Sequence, residues 1–264
     1  MQPVFSATSG QLNLWLVFFL WPFVRMLALI STAPIFSEHA VPRRAKVALA
    51  ALLAIVVAPT LGAMPAVPIV SAAGFWILVQ QILIGAAMGF SMRMVFAAVQ
   101  AAGEYAGLQM GLSFASFFDP TSGGNTMVVA RLLNVMAMLI FLAVDGHLML
   151  VMVLAESFQA LPISDAPLAA GGWFLLANAG GQIMAGGLML ALPLIATLLT
   201  LNLAMGILNR VSPQFSIFAV GFPITLLAGI AMLQLLMQYL APFLEPRFAA
   251  AFAGTLGVLQ GLRQ

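Results

Sequence analysis

"SAAGFWILVQQILIGAAMGFSMRMVFAAVQAAGEYAGLQMG", residues 71–111, contains no proline, and its only charges are Arg93 and Glu104. A helix over this stretch rises about 60 Å at ~1.5 Å per residue. The hydrocarbon layer of a bilayer is only ~30 Å thick. A break near Arg93 would fold the stretch into two pieces, yet no turn signal marks one, so one long helix and two shorter ones both stand. Glycines at 85 and 89, and at 103, 107 and 111, recur every four residues. Small faces of this kind let helix backbones approach closely.

The rest of the chain has the same character. Of its 264 residues 63% are hydrophobic and 6% charged. Several apolar runs exceed the length needed to span a membrane, which predicts an all-α integral membrane protein with long kinked helical hairpins. The alternating segments of a transmembrane barrel are missing. No positive side chain occurs before Arg25, so the first apolar run reads as a retained helix and not as a cleavable signal. Cysteine is absent, which excludes disulfides and thiolate metal sites. Nine basic and seven acidic residues give a net charge of +2, with no basic stripe for nucleic acid.

The first run spans Leu12–Phe36, with Pro22 and Pro34 able to kink or end it. The one basic loop, "SEHAVPRRAKVA" with Arg43, Arg44 and Lys46, is cytoplasmic by the positive-inside rule, which leaves the N-terminus outside. Ala45–Leu61 returns and stops at a proline-rich turn. Beyond residue 111 come runs at Met127–Val144 and Leu148–Leu161, separated by Asp145-Gly146-His147. A linker at Pro162–Pro167 precedes Trp173–Leu208, about 54 Å if continuous. A turn at Asn209–Pro213 and a final run at Phe215–Leu244 close an antiparallel hairpin, followed by a weakly amphipathic tail. The linker divides the chain into parts 1–165 and 166–264. Runs too long for the bilayer leave apolar surface that protein must cover; packing within the chain could do it, but large exposed patches more often mark partner contacts, which predicts obligate assembly.

Enzyme signatures are missing: no metalloprotease, nucleophile-elbow, phosphate-loop or β-lactamase motif is present. His39 and His147 are too far apart for a ligand pair on one helix, and Asp145 with His147 reads as a turn, not an acid–base pair. No cofactor or metal is called for. Arg25, deep in the first run, needs either an interior partner or a snorkelling path, and both outcomes stand. Arg93 and Glu104 share a helix face but lie too far apart to touch, so each needs a different partner. Arg131 and Asn134 are spaced to form one polar face. Asn178 with Gln182, Asn202, and Gln234 with Gln238 read as interhelical hydrogen-bond glue.

The segment "GEYAGLQMGLSFASFFDPTSGGNT", residues 103–126, differs in kind. Gly103, Gly107 and Gly111 weaken helix preference. Met110, Phe114, Phe117 and Phe118 are soft or large apolar groups, and methionine adapts to irregular partners. Asp119-Pro120 makes a turn, followed by the free Gly123-Gly124 pair. Physically this suits a compliant seal across a pore. A re-entrant loop that merely fills space is the reading that physics alone slightly favours. Either way, non-helical backbone at membrane depth belongs inside protein or along a cavity.

Four segments, "WPFVRMLALISTAPIFSEHAVPRRAKVALA" (21–50), "QQILIGAAMGF" (80–90), "AGEYAGLQMGLSFASFFDP" (102–120) and "LTLNLAMGILNRVSPQFSIFAVGFPITL" (199–226), closely resemble the FliR family of flagellar type III export-gate subunits. The resemblance covers nearly the whole chain. It implies a FliP-like first part and a FliQ-like hairpin in a non-enzymatic channel subunit of the bacterial inner membrane at the flagellar basal body. The implied partners are FliP and FliQ, then FlhB and FlhA, with unfolded flagellar proteins as the cargo. It also implies a pore plug at about 106–122, including Gly107, Met110, Gly111, Phe114, Phe117, Phe118, Asp119 and Pro120. The turn holding Asn209 and Arg210 would lie at the gate entrance. The related virulence injectisome subunit shares this architecture. A stand-alone small-molecule transporter is the remaining alternative, and it would need a polar midplane site.

Overall fold

The computed structural model describes residues 9–38, 40–62, 64–65, 67–112, 128–212 and 220–263. Seven α-helices occur among them and no strand: α1 Ser9–Thr32, α2 Arg43–Val57, α3 Ala72–Gln109, α4 Val128–Ala143, α5 Gly146–Ala160, α6 Ala170–Val211 and α7 Phe222–Arg263. Four of the described helices, α1, α3, α6 and α7, are long and apolar enough to cross a membrane.

Prolines set several boundaries. Helix α1 ends at Thr32, two residues before Pro34, because a residue preceding proline is driven out of the helical region. Pro42 sits at the N-cap of α2 in an extended conformation. Four other prolines are accommodated inside helices: Pro22 in α1, Pro193 in α6, and Pro242 and Pro246 in α7. The open question over residues 71–111 resolves to one unbroken helix of 38 residues, about 57 Å long. From Phe222 the final apolar run continues into the tail as one helix of 42 residues, ending at Arg263.

The contacts divide the chain into two compact units, 1–93 with 147–179 and 250–264, and 94–146 with 180–249. In the first unit α1 packs on α2 and on the first half of α3. Trp21, Met26, Leu29 and Ile30 of α1 are buried, as are Ile77 and Ile84 of α3 and Leu154 of α5. The glycine spacing on α3 explains the closeness. A β-carbon at Gly85 would collide with the Arg25 carbonyl and Ala28, and one at Gly89 with Thr32 and Ala33. The last turns of α7 complete this core through Val258, Leu259 and Leu262. A β-carbon at Gly172 of α6 would strike Leu262 and the Val258 carbonyl.

The second unit is built round an aromatic trio. Phe96, Phe141 and Phe248 have ring centroids 5.1–5.7 Å apart. Offset and edge-on rings at such distances attract through their quadrupoles as well as through burial. Small residues again bring backbones together, with Gly103 of α3 facing Ala130 of α4 and Gly187 of α6 facing Ala98 and Ala101. Helices α6 and α7 run antiparallel, as Met189 beside Arg247 shows here and Gly172 beside Gly261 shows in the first unit.

Candidate functional site

The glycine-rich segment begins at the C-terminus of α3. Gly111 has φ 77°. Its N–H donates to Leu108 O (3.1 Å), and the Leu112 N–H donates to Gly107 O (3.0 Å). These paired bonds are a Schellman cap, in which a left-handed residue stops the helix and satisfies its last carbonyls. Glycine takes that conformation without the steric penalty of a β-carbon. Gly111 therefore fixes where α3 stops and where the following segment departs.

Met110, just before the cap, is 2% exposed. A β-carbon on Gly229 of α7 would meet its Cγ, Sδ and Cε. The lack of a side chain at 229 makes room for the methionine. As placed, Met110 ties the end of α3 to α7. Gly107 is also buried. Phe114, Phe117, Phe118, Asp119 and Pro120 lie outside the described residues.

The polar candidates separate sharply. Arg25 is fully buried. Its Nε donates to Gln81 Oε1 (2.7 Å), and one terminal nitrogen donates to Ser157 O (3.0 Å) and Ser157 Oγ (3.2 Å). The other terminal nitrogen donates to Leu161 O (3.0 Å), and the guanidinium lies 4.3 Å from the Phe158 ring centroid. The partner that the sequence left undecided is thus interior, and the side chain does not snorkel. No carboxylate is among its partners. Instead the cation meets carbonyls at the C-terminal end of α5, the negative pole of the helix dipole. One side chain joins α1, α3 and α5.

The other candidates are not gathered with it. Arg93 and Arg131 are exposed and have no hydrogen-bond partner among the described residues. Glu104 is half-buried and accepts a 3.3 Å bond from Gln100 on its own helix. Asn209 is half-buried and Arg210 exposed in the last turn of α6, where a cation suits the helix dipole. Asn178, Gln182, Asn202, Gln234 and Gln238 are exposed and glue nothing within the described chain. Asp145 occupies the turn between α4 and α5 with φ 55°, and His147 Nδ1 has no hydrogen-bond partner. No cluster fit to hold a metal occurs among the described residues.

Gln81 and Ser157 escaped sequence reading as functional partners, since nothing in a single apolar run says which distant polar residue a buried cation will meet. The Schellman glycine had a local signal, a glycine closing a long apolar helix.

Residues 16–251 match the family described as bacterial export proteins, family 1. The chain belongs to the FliR family. It is 56% identical to the flagellar biosynthetic protein FliR of Pectobacterium carotovorum over 238 residues, 90% of this chain and 91% of that protein. It is 51% identical to the FliR protein of Escherichia coli K12 over 247 residues, 94% of each chain. The FliR protein of Bacillus subtilis is 29% identical over 83% of this chain and 86% of its own length. The family match includes Arg25, the Schellman cap and the segment that follows it. It ends inside α7, before the buried Val258, Leu259 and Leu262.

Proposed function

We propose that this chain is a structural channel subunit of the flagellar type III export gate in the bacterial inner membrane, at the flagellar basal body. It assembles there with FliP and FliQ around a pore crossed by unfolded flagellar proteins, and it works beside FlhA and FlhB. The part before the 162–167 linker is the FliP-like one, and the part after it is the FliQ-like hairpin. The segment at about 106–122 plugs the pore. Phe114, Phe117 and Phe118 are its sealing groups, Met110 is its root, and Asn209 and Arg210 stand at the entrance. The proposal is of a subunit that does no chemistry of its own.

The observation that carries this reading is family membership over nearly the whole chain, joined to helices far longer than a bilayer is thick. The Schellman cap adds a mechanical argument. A left-handed glycine stops α3 at a defined residue, and Met110 beside it is anchored against α7, so the proposed plug starts from a fixed root. Hydrophobic constrictions close pores to ions and water without chemistry.

Deleting residues 111–118 tests the proposal. Complexes of the deleted chain with FliP and FliQ should still assemble, and their membrane conductance should rise. Assembled complexes with no added leak would refute the plug. A full chain that forms no complex with FliP and FliQ, and is monodisperse alone, would refute the gate.

A further inference from the structure

The second unit holds an apolar groove that the gate reading does not use. It has a volume of about 300 Å³ and lies between α6 and α7, lined by Met189, Pro193, Leu194, Leu235, Leu236 and Tyr239 among others. Its origin is visible in the sequence. In the antiparallel pair, Pro193 and Pro242 fall at nearly the same level. Each lacks an N–H, so each helix is short of one backbone hydrogen bond at that level. Leu235 and Tyr239 are exposed, so the groove opens on the surface.

One end of the groove is cationic. Arg247 rests its guanidinium 3.4 Å from the centroid of Phe243, a groove residue, and donates to Phe243 O (2.9 Å) and towards Met189 Sδ (3.8 Å). A guanidinium has five N–H donors, so most of its capacity is unspent. No carboxylate lies within ion-pair distance among the described residues. The position along the helix matters as well. From Phe222 to Leu244 there is no charged residue, a length of about 35 Å, close to the ~30 Å of bilayer hydrocarbon. Glu245, which is exposed, is the first charge after this stretch and Arg247 the second, so Arg247 lies just past an apolar length close to the bilayer thickness, and the groove runs from it into the apolar stretch.

We propose that this groove seats one acyl chain of an anionic phospholipid, with the phosphate held by Arg247. The two halves of the site match the two halves of such a lipid. Arginine's planar fork binds phosphate oxygens in pairs, and prolines, leucines and a methionine face an alkyl chain. The site does not depend on the gate reading.

Native mass spectrometry of the full chain in mild detergent tests it, with phosphatidylglycerol and phosphatidylethanolamine of identical chains as probes. Retained phosphatidylglycerol should exceed phosphatidylethanolamine by about tenfold, as expected of a charge-assisted contact. Arg247→Gln should abolish the preference, and Arg247→Lys should keep part of it, because the charge stays while the fork is lost. Leu236→Trp should fill the groove and lower retention of both lipids. If Arg247→Gln does not fold, the lysine and tryptophan variants decide. Equal retention of the two lipids by the unsubstituted chain would overturn the proposal, as would a preference that survives in Arg247→Gln and Leu236→Trp. Photo-crosslinking from position 236 in cells that captures a polypeptide instead of lipid would overturn it as well.

Discussion

Replacing Arg25 should hurt more when the charge is kept than when it is removed. Arg25→Met leaves two buried acceptors without a donor, Gln81 Oε1 and Leu161 O. Ser157 fares better. Its hydroxyl still donates to Leu154 O, and its carbonyl still accepts the Leu161 N–H. Two orphaned acceptors cost about 1–3 kcal/mol each. Against that, a buried cation is removed, whose desolvation costs several kcal/mol. The net change should fall within about 2 kcal/mol of zero, by the same reasoning that lets apolar residues replace buried ion pairs. Arg25→Lys keeps the charge buried. A point ammonium cannot reach Gln81 on α3 and Leu161 just past α5 together, and it is the more strongly hydrated cation. An incompletely compensated buried charge costs about 3–5 kcal/mol. Thermal unfolding of the full chain in detergent, followed by size-exclusion of the folded fraction, reads the order directly. The lysine variant should melt about 8–16 °C below the methionine variant, for a difference of about 4 kcal/mol at about 2–4 °C per kcal/mol in a chain of this size. Adding Gln81→Leu to Arg25→Met should recover stability, because one orphaned acceptor is gone. If methionine proves worse than lysine, hydrogen-bond geometry is not what Arg25 supplies, and attraction to an acidic group elsewhere must replace it.

Gly111→Ala should cost about 1–2 kcal/mol, since an L side chain must enter the left-handed region, and amide exchange at Gly111 and Leu112 should quicken. Gly111→Asn should cost less, because asparagine tolerates that conformation. Gly103→Ala should destabilise by about 1–3 kcal/mol, the usual penalty for overpacking. Its β-carbon meets the Ala130 backbone, which cannot yield as a flexible side chain would. Gly180→Ala, with nothing within 4 Å of the new carbon, should instead raise stability by about 0.5–1 kcal/mol through helix propensity. Parallel melting curves of the two alanine variants test the contrast, and equal shifts of the same sign would refute it.

Much of the fold was legible because membrane helices announce themselves by length and by prolines at their ends. The small-residue spacing on α3 also transferred directly, since Gly85, Gly89 and Gly103 are where α1 and α4 press closest. The continuity of the tail with the last apolar run was not legible, for a definite reason. Glu245, Pro246 and Arg247 look like the end of an apolar run, yet a proline inside an amphipathic helix removes one bond without ending it when packing holds the turns on either side. Phe248, Val258, Leu259 and Leu262 supply that packing. The root of the candidate site was half legible. A glycine at 111 signals a stop, but the burial of Met110 depends on a missing side chain at Gly229, far away in the sequence. The partners of Arg25 were not legible at all, because they are carbonyls and uncharged side chains with no sequence mark.

The exposed polar groups carry the argument for assembly further than helix length does. Arg93 and Arg131 lie on the outside of the chain within apolar helices. Held in lipid, each would cost about 2.5–3.5 kcal/mol at the membrane centre, a burden several times the gain of an ordinary hydrogen bond. Gln182, Asn202, Gln234 and Gln238 add unmet donors and acceptors on α6 and α7, which are also the least covered helices, with 22% and 17% of their most apolar stretches buried. The glue reading of these amides fails among the described residues of one chain, and the proposed assembly would supply the missing partners. An amide that finds no partner at home is relieved by hydrogen bonds to a neighbouring helix, worth roughly 1 kcal/mol each in membranes. A transporter acting alone would turn such groups inward to a midplane site. The subunit proposed above would turn them towards its neighbours, and apart from Arg25 the polar side chains that the sequence singled out within the helices lie mostly on the outside.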